Sequence, residues 1–276
     1  MGRPRRPGAR REPAALSAST EPEPEPRARE PIRLRGARQQ ERMTMTDTTL
    51  SAGGPAATPQ ARTRIKLCGL SRAADVDHAV ALGADAVGFV FYPKSPRAVS
   101  VEQAAELVRR VPPFVSAVGL FVNAAPEDLA RVLDAVPLTT LQFHGDETPE
   151  QCLALAREAR LPWMRALRVG ASTQRADLVE SALHYSTASG LLFDTHVPDY
   201  GGSGKVFDWS LIPAELVHRA VLSGGLSARN VGDAIRQIRP YAVDVSSGIE
   251  VPGEKGVKDH ARMAAFVSAV RAADAQ

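Results

Sequence analysis

Five side chains able to transfer protons or bind anions stand where predicted strands of this chain end. A thiol, an imidazole or a carboxylate can act as a general acid or base, and a guanidinium group can pair with both oxygens of a carboxylate. Each has a structural alternative, because a single cysteine at a strand end is usually a small core residue and a loop charge is usually solvated. The five are Cys68, Arg97, His144, Asp194 and Asp244.

Three loops rich in glycine and serine follow the last three predicted strands and have the composition of a phosphate cradle. Glycine lets backbone N–H groups approach an anion closely, and a helix N-terminus attracts the same charge. The alternative is that these glycines only form tight turns. Segment 201–205 is not a Walker A motif, because Val206 follows the Gly-Lys pair. The candidate phosphate-binding residues are Gly202, Gly204, Gly224, Gly225, Ser247 and Gly248.

Short apolar runs rich in Val, Ile, Leu and Phe alternate with longer helical patterns from residue 64 onward. Their nearly continuous apolar character is typical of parallel strands that are buried on both faces. The predicted strands are 64–68, 85–91, 114–121, 139–143, 163–168, 190–194, 220–223 and 242–245. The predicted helices are 73–82, 101–110, 126–135, 149–159, 172–183, 208–216, 227–238 and 260–273.

Eight strands alternating with eight helices predict a closed (β/α)8 barrel, an α/β fold of the TIM type. An open, doubly wound sheet usually has fewer strands and a glycine-rich first turn, and segment 68–71 has no GxGxxG motif. In such a barrel the carboxyl ends of all strands meet on one face. The barrel therefore predicts that the five strand-end side chains and the glycine loops surround one site.

The first 61 residues have an aperiodic, Pro-, Arg- and Glu-rich composition that predicts a disordered extension before a barrel domain over 62–276. Residues 1–42 hold 11 Arg and 6 Glu, so their net charge of +5 exceeds the +3 of the whole chain. The basic character therefore does not belong to the barrel, and no nucleic-acid partner is expected. The extension is interpreted as a solvated tail, as sequence upstream of a true start at Met43 or Met45, or as a partner-binding tail.

Cysteine usage and hydropathy bear on the compartment. Two cysteines are too few for a disulfide framework, no apolar run approaches the roughly 18 residues of a membrane span, and no secretory signal precedes the domain. These features favour a cytoplasmic protein without a membrane partner, and we expect a monomer.

Seven short motifs occur in an order that resembles one enzyme family. From residue 64 to the C-terminus the chain resembles phosphoribosylanthranilate isomerases of tryptophan biosynthesis. Leu67 and Phe143 stand where Ile and Leu are commoner, and neither carries a reactive group. The motifs are RIKLCGL at 64–70, GADAVGFVF at 83–91 with SPR at 95–97, LQFHG at 141–145, YGGSGK at 200–205, LSGGL at 222–226 and VDVSSGIE at 243–250.

The resemblance implies an Amadori rearrangement of N-(5-phosphoribosyl)anthranilate without metal or cofactor. Asp194 would be the general acid at the furanose ring oxygen and Cys68 the general base at ribose C2. Arg97 would bind the anthranilate carboxylate and the glycine loops the 5′-phosphate. His144 and Asp244 would either contact the small phosphorylated substrate or support residues that do.

Ordinary pKa values oppose both proton-transfer roles. At pH 7 a carboxyl group with a pKa near 3.9 is about 0.1% protonated, and a thiol with a pKa near 8.5 is about 3% ionised. We therefore expect burial or a neighbouring carboxylate such as Asp244 to help Asp194, and a nearby positive charge to help Cys68.

Three rival functions are less consistent with these residues. Sugar-phosphate isomerases of histidine biosynthesis use two Asp residues, whereas the first strand here ends in Cys68. Indole-glycerol-phosphate synthase would be expected to place Lys and Glu at strand ends, which the end of the first strand does not offer. A non-catalytic phosphate-binding barrel would not need the acid and base candidates.

Overall fold

The strands form one closed parallel sheet in the computed structural model, which describes Gly2 and residues 62–195 and 206–276. Neighbours along the chain are neighbours in the sheet, and β8 pairs with β1 to close the barrel. The predicted (β/α)8 architecture is confirmed. The strands are Arg64–Cys68 (β1), Ala86–Val90 (β2), Ser116–Phe121 (β3), Thr140–Phe143 (β4), Trp163–Val169 (β5), Gly190–Thr195 (β6), Ala220–Leu222 (β7) and Ala242–Val245 (β8).

Seven α-helices occur in the described part of the chain, and the helix predicted over 208–216 is wrong. That segment holds two 3-10 helices, Trp209–Leu211 and Ala214–Arg219. Pro213 separates them, because proline has no N–H to donate and disfavours α geometry at the residue before it. The α-helices are Ala73–Ala81 (α1), Val101–Val108 (α2), Pro126–Ala135 (α3), Pro149–Ala159 (α4), Arg175–His184 (α5), Val231–Ile238 (α6) and His260–Asp274 (α7).

Polar side chains cap the N-termini of several helices at the positions that the sequence predicted. The Ser100 hydroxyl accepts a hydrogen bond from the Gln103 backbone N–H at 3.1 Å before α2. Thr148 and Gln151 form a capping box at α4. In contrast, α6 begins four residues later than predicted, because the Asn230 side chain accepts a hydrogen bond from the Ser227 N–H and holds that segment in a turn.

Apolar side chains pack on both faces of the strands, between the strands and the helices and inside the barrel. Side chains on the outer face of the strands pack with the helices into one large core. Inside the barrel, a smaller apolar cluster is formed by Ala166, Leu192, Val221 and Ala242, with Met164 packed against it. Because side chains alternate along a strand, polar residues two positions further along share the barrel interior above this cluster.

The predicted extension over 1–61 lies outside the described residues, apart from Gly2. In the described ranges, no helix is both long and apolar enough to cross a membrane.

Candidate functional site

Cys68 ends β1 inside the barrel, with its side chain facing an open pocket at the carboxyl ends of the strands. The residue is 4% exposed. Its neighbour in β2 is Gly88, where a Cβ atom would lie 2.6 Å from the Cys68 Sγ. Gly88 therefore leaves the space that the thiol occupies.

A buried ion pair lies beside the thiol. Lys66 Nζ donates to Asp244 Oδ1 at 2.8 Å, and the Ser223 hydroxyl lies 3.3 Å from Asp244 Oδ2. Burial alone would lower the pKa of Lys66, but Asp244 and the thiol raise it above its ordinary value. The lysine is thus held as a cation next to Cys68.

The expected positive charge near Cys68 is present, yet it does not make the thiolate the main form of the residue. Burial raises the pKa of the Cys68 thiol, and the lowering effect of Lys66 does not overcome it. Asp244, which is bound to Lys66, raises the pKa of the thiol further. The isolated site therefore holds a protonated thiol at neutral pH.

Asp194 lies at the end of β6 and is bound by a histidine that follows β4. His144 Nε2 is 3.2 Å from Asp194 Oδ2, and Gln142 Nε2 donates to His144 Nδ1 at 2.9 Å. Because Nδ1 accepts this hydrogen bond, Nε2 carries a ring hydrogen and donates it to Asp194. Gln142 is fully buried, and its Oε1 has no hydrogen-bond partner among the described residues.

The loop that carries His144 is fixed by a buried glutamate. Glu147 accepts hydrogen bonds from the backbone N–H groups of Asn123 at 2.7 Å and Gly145 at 2.9 Å. Glu147 also accepts a hydrogen bond from a side chain, because Arg165 Nη1 donates to it at 2.7 Å. These contacts tie the loops after β3 and β4 to β5 and thereby hold His144 in place.

Arg97 enters the pocket from the loop after β2, but one edge of its guanidinium group is already occupied. Nε donates to Glu250 Oε1 at 2.6 Å and Nη2 to Glu250 Oε2 at 3.0 Å. Lys258 Nζ donates to the same Glu250 Oε1 at 3.0 Å. A Cβ atom at Gly69 would lie 2.6 Å from Arg97 Cδ, so the glycine after Cys68 lets Arg97 lie across the end of β1.

The glycine loops after β7 and β8 reach the same pocket. Gly224 and Gly225 have φ values of 81° and 64°, and both line the pocket together with Ser247. A Cβ atom at Gly224 would lie 2.4 Å from the Thr195 backbone N. Only glycine therefore lets this loop pack against the end of β6.

A third glycine predicted to bind phosphate, Gly248, does not line this pocket. At Gly248 a Cβ atom would lie 1.9 Å from the Leu226 carbonyl oxygen, so this glycine packs the loop after β8 against the loop after β7. Gly202 and Gly204 lie outside the described residues.

Pocket-lining residues predicted from the sequence are thus Cys68, Arg97, His144, Asp194, Gly224, Gly225, Asp244 and Ser247. Sequence reasoning missed Lys66, Gln142, Glu250 and Lys258. Lys66 and Gln142 precede Cys68 and His144 by two residues, so the two-residue period of a strand could have found them. The described residues contain no grouping of His, Cys, Asp and Glu suited to hold a metal ion.

The chain is similar to known proteins over the whole barrel. A sequence model of the N-(5′-phosphoribosyl)anthranilate isomerase family matches residues 65–269. The N-(5′-phosphoribosyl)anthranilate isomerase of Ralstonia nicotianae is 62% identical over 226 residues, covering 79% of this chain and 96% of that protein.

Solved structures agree with the sequence comparison. The crystal structure of phosphoribosyl anthranilate isomerase from Thermotoga maritima is 44% identical, with a TM-score of 0.68, and the match covers 76% of this chain and 99% of that one. Another such isomerase, in complex with reduced 1-(o-carboxyphenylamino)-1-deoxyribulose 5-phosphate, is 41% identical with a TM-score of 0.65 and the same coverage.

Proposed function

Because this chain belongs to the N-(5′-phosphoribosyl)anthranilate isomerase family, we propose that Cys68 is the general base of its reaction and Asp194 the general acid. The chain is an isomerase of tryptophan biosynthesis that interconverts an aldose and a ketose. The observation that carries the assignment is that this thiol and this carboxylate line one pocket at the carboxyl ends of the strands.

The two groups match the two proton transfers of an Amadori rearrangement. A proton given by Asp194 to the furanose ring oxygen breaks the C1–O bond and leaves an iminium group at C1. Cys68 then removes the proton from C2, and the electron pair of that C–H bond forms the enol-amine. A proton then adds to C1 while the C2 hydroxyl group loses its proton to form the carbonyl group, which gives the aminoketose and leaves the pair of residues with one proton again. Turnover of freshly prepared N-(5-phosphoribosyl)anthranilate tests the activity, and its absence would overturn the proposal.

The proton balance of the site follows from the raised pKa of Cys68. The reaction needs one proton on the pair, carried by Asp194 and not by the thiol. Since burial holds that proton on Cys68, only a small fraction of molecules has the productive arrangement at any moment. That fraction does not change with pH as long as the pair retains one proton in total. Lys66, held as a cation, stabilises the thiolate in the productive form.

The pH profile of wild-type kcat/KM checks this proton balance. We expect a plateau through neutral pH and a decline only above the ordinary pKa of a thiol, because the pair loses its last proton at the raised pKa of Cys68. A decline that begins below about pH 8, the lower side of ordinary thiol values, would contradict a buried, protonated Cys68.

The pH profile of kcat/KM in the Lys66→Met variant tests the same proton balance. Removing the cation raises the pKa of Cys68 further, so the alkaline decline moves to higher pH and the plateau falls by about tenfold for each unit of that pKa change. Lys66→Arg keeps the charge and serves as the control.

The two anionic ends of the substrate fit the two sides of the pocket. We assign the anthranilate carboxylate to Arg97, whose Nη1 and outer Nη2 hydrogens have no acceptor among the described residues, and the 5′-phosphate to the loops of Gly224, Gly225 and Ser247. This agrees with the presence of both anionic groups in the ligand of the related crystal structure.

Gly224→Ala tests the phosphate assignment. A methyl group there meets Thr195 at 2.4 Å and forces an alanine into positive φ, so the loop must move away from the pocket. We expect the inhibition constant of inorganic phosphate to rise by about tenfold or more, because a charge-assisted hydrogen bond contributes about 1.5–3 kcal/mol.

Gly83→Ala is the matched control. Gly83 also has positive φ, but nothing lies within 4 Å of a Cβ there, so this variant carries the backbone strain without the displacement. Equal phosphate inhibition in the two variants would argue against the cradle.

The predicted phosphate contacts of Gly202, Gly204 and Gly248, the monomeric state and the cytoplasmic location remain proposals. Sedimentation equilibrium would decide the monomeric state.

A further inference from the structure

We propose that Glu250 and Lys258 are positioning residues that set the two anion-binding ends of the pocket. Glu250 fixes Arg97 for the carboxylate, and Lys258 fixes the loop after β8 for the phosphate. The inference rests on the proposed function, because it takes its substrate from there.

The three charged groups form one buried cluster. Glu250 is 6% exposed and Arg97 is 7% exposed, and the Lys258 side chain is fully buried. Burial would raise the pKa of Glu250, but Arg97 and Lys258 hold it below its ordinary value. Arg97 and Lys258 thus keep the buried carboxylate of Glu250 ionised at neutral pH, while burial lowers the pKa of Lys258 itself.

Glu250 determines which edge of Arg97 meets the ligand. Its two oxygens take Nε and Nη2, which is the side-on pairing of a guanidinium fork. Nη1 has no hydrogen-bond partner among the described residues, and it lies next to the outer hydrogen of Nη2. Arg97 thus pairs with the Glu250 carboxylate through one edge of its guanidinium group and presents the other edge to the substrate carboxylate.

A free arginine at this position would not bind the carboxylate equally well. Its long side chain has several rotamers, and ordering it on binding costs conformational entropy. Glu250 removes that freedom before the ligand arrives, because a bidentate pair fixes the plane of the guanidinium group.

Lys258 extends the cluster to the loop after β8. Besides Glu250, its Nζ donates to the Ser246 carbonyl oxygen at 3.0 Å and to the Ser246 hydroxyl oxygen at 3.2 Å. Ser246 lines the pocket and directly precedes Ser247. One lysine side chain therefore holds the start of the phosphate loop and the carboxylate that orients Arg97.

Three ligands separate these roles. They are reduced 1-(o-carboxyphenylamino)-1-deoxyribulose 5-phosphate, the same compound without its carboxylate, and the same compound without its phosphate. In Glu250→Gln, we expect calorimetry to show at least about tenfold weaker binding of both ligands that carry the carboxylate. Binding of the ligand without it should change by less than about threefold.

Lys258→Met should give the opposite pattern, because Glu250 keeps its bidentate pair with Arg97. We expect weaker binding of both phosphorylated ligands and little change for the ligand without phosphate. Asp85→Asn controls for a lost ionic contact far from the pocket, since Asp85 pairs with Arg62 at the start of the strands. It should lower the melting temperature and leave the discrimination among ligands unchanged.

Equal losses for all three ligands in Glu250→Gln, or no loss for any, would overturn the proposal. If that variant does not fold, Glu250→Asp serves in its place, because it keeps the charge but cannot reach Arg97 in the same geometry. Wild-type turnover and the Arg97→Ala variant report on the proposed function separately. If wild type turns over but Arg97→Ala does not discriminate the carboxylate, the assignment of Arg97 has failed, whatever Glu250 does.

Discussion

Replacing Cys68 with alanine is expected to lower kcat by about 10²–10⁴-fold, because a positioned base contributes a factor of that size. This corresponds to about 3–5 kcal/mol of transition-state stabilisation. The affinity for the reduced product analogue should change little, since the thiol meets a carbon-bound proton and no anionic group of the ligand. Stopped assays of product formation at saturating substrate measure the effect.

The second free cysteine supplies the matched control. Cys152 is fully buried in α4, does not line the pocket, and burial raises its pKa to about 12. Cys152→Ala should cost stability through a small cavity and leave kcat within about threefold of wild type. A Cys68→Ala enzyme with more than about a tenth of wild-type kcat would show that another group removes the C2 proton.

Asp194→Asn should also lower kcat by about 10²–10⁴-fold. The amide has nearly the same shape, and its oxygen can still accept the hydrogen bond from His144, but it has no acidic proton to give to the ring oxygen. Asp77→Asn, on the exposed face of α1, is the control for an amide replacing a carboxylate and should be neutral.

An isotope effect distinguishes the acid from the base. With substrate deuterated at C2, loss of the base makes C–H cleavage slower, so Cys68→Ser should show a kinetic isotope effect at least as large as that of wild type. Loss of the acid makes ring opening limiting, so Asp194→Asn should show an effect near one. The reverse pattern would exchange the two assignments.

The strands could be predicted because a strand buried on both faces is a nearly continuous run of apolar residues, which is visible in the local sequence. The helix predicted over 208–216 could not be sustained, since the pattern was apolar but Pro213 stood within it. The role of Gly88 could not be predicted for a different reason. A glycine is needed there because the sulfur atom of Cys68 on the neighbouring strand occupies the space of a side chain, and only the pairing of β1 with β2 reveals this contact.

Electrostatics of the site depend on contacts distant in sequence. Arg97 and Glu250 are 153 residues apart, and nothing near either residue indicates the other. The sequence therefore suggested an arginine with its whole fork available, whereas the fold leaves one edge. Similarly, a positive charge near Cys68 was expected, but the burial that raises the pKa of the thiol depends on the closed barrel.

The pairing of β1 with β8 has a consequence for the timing of biosynthesis. Lys66 and its counterion Asp244 are 178 residues apart. At about 5–20 residues per second, the ribosome makes the lysine roughly 10 to 40 s before its partner. Until β8 emerges, the growing chain has an edge strand with open backbone groups and an unpaired cation on its inner face. Such an edge is a site for aberrant association, and the lysine itself opposes that association by its charge. The residue that counteracts the raised pKa of Cys68 in the folded barrel thus also places a positive charge on this edge before the barrel closes.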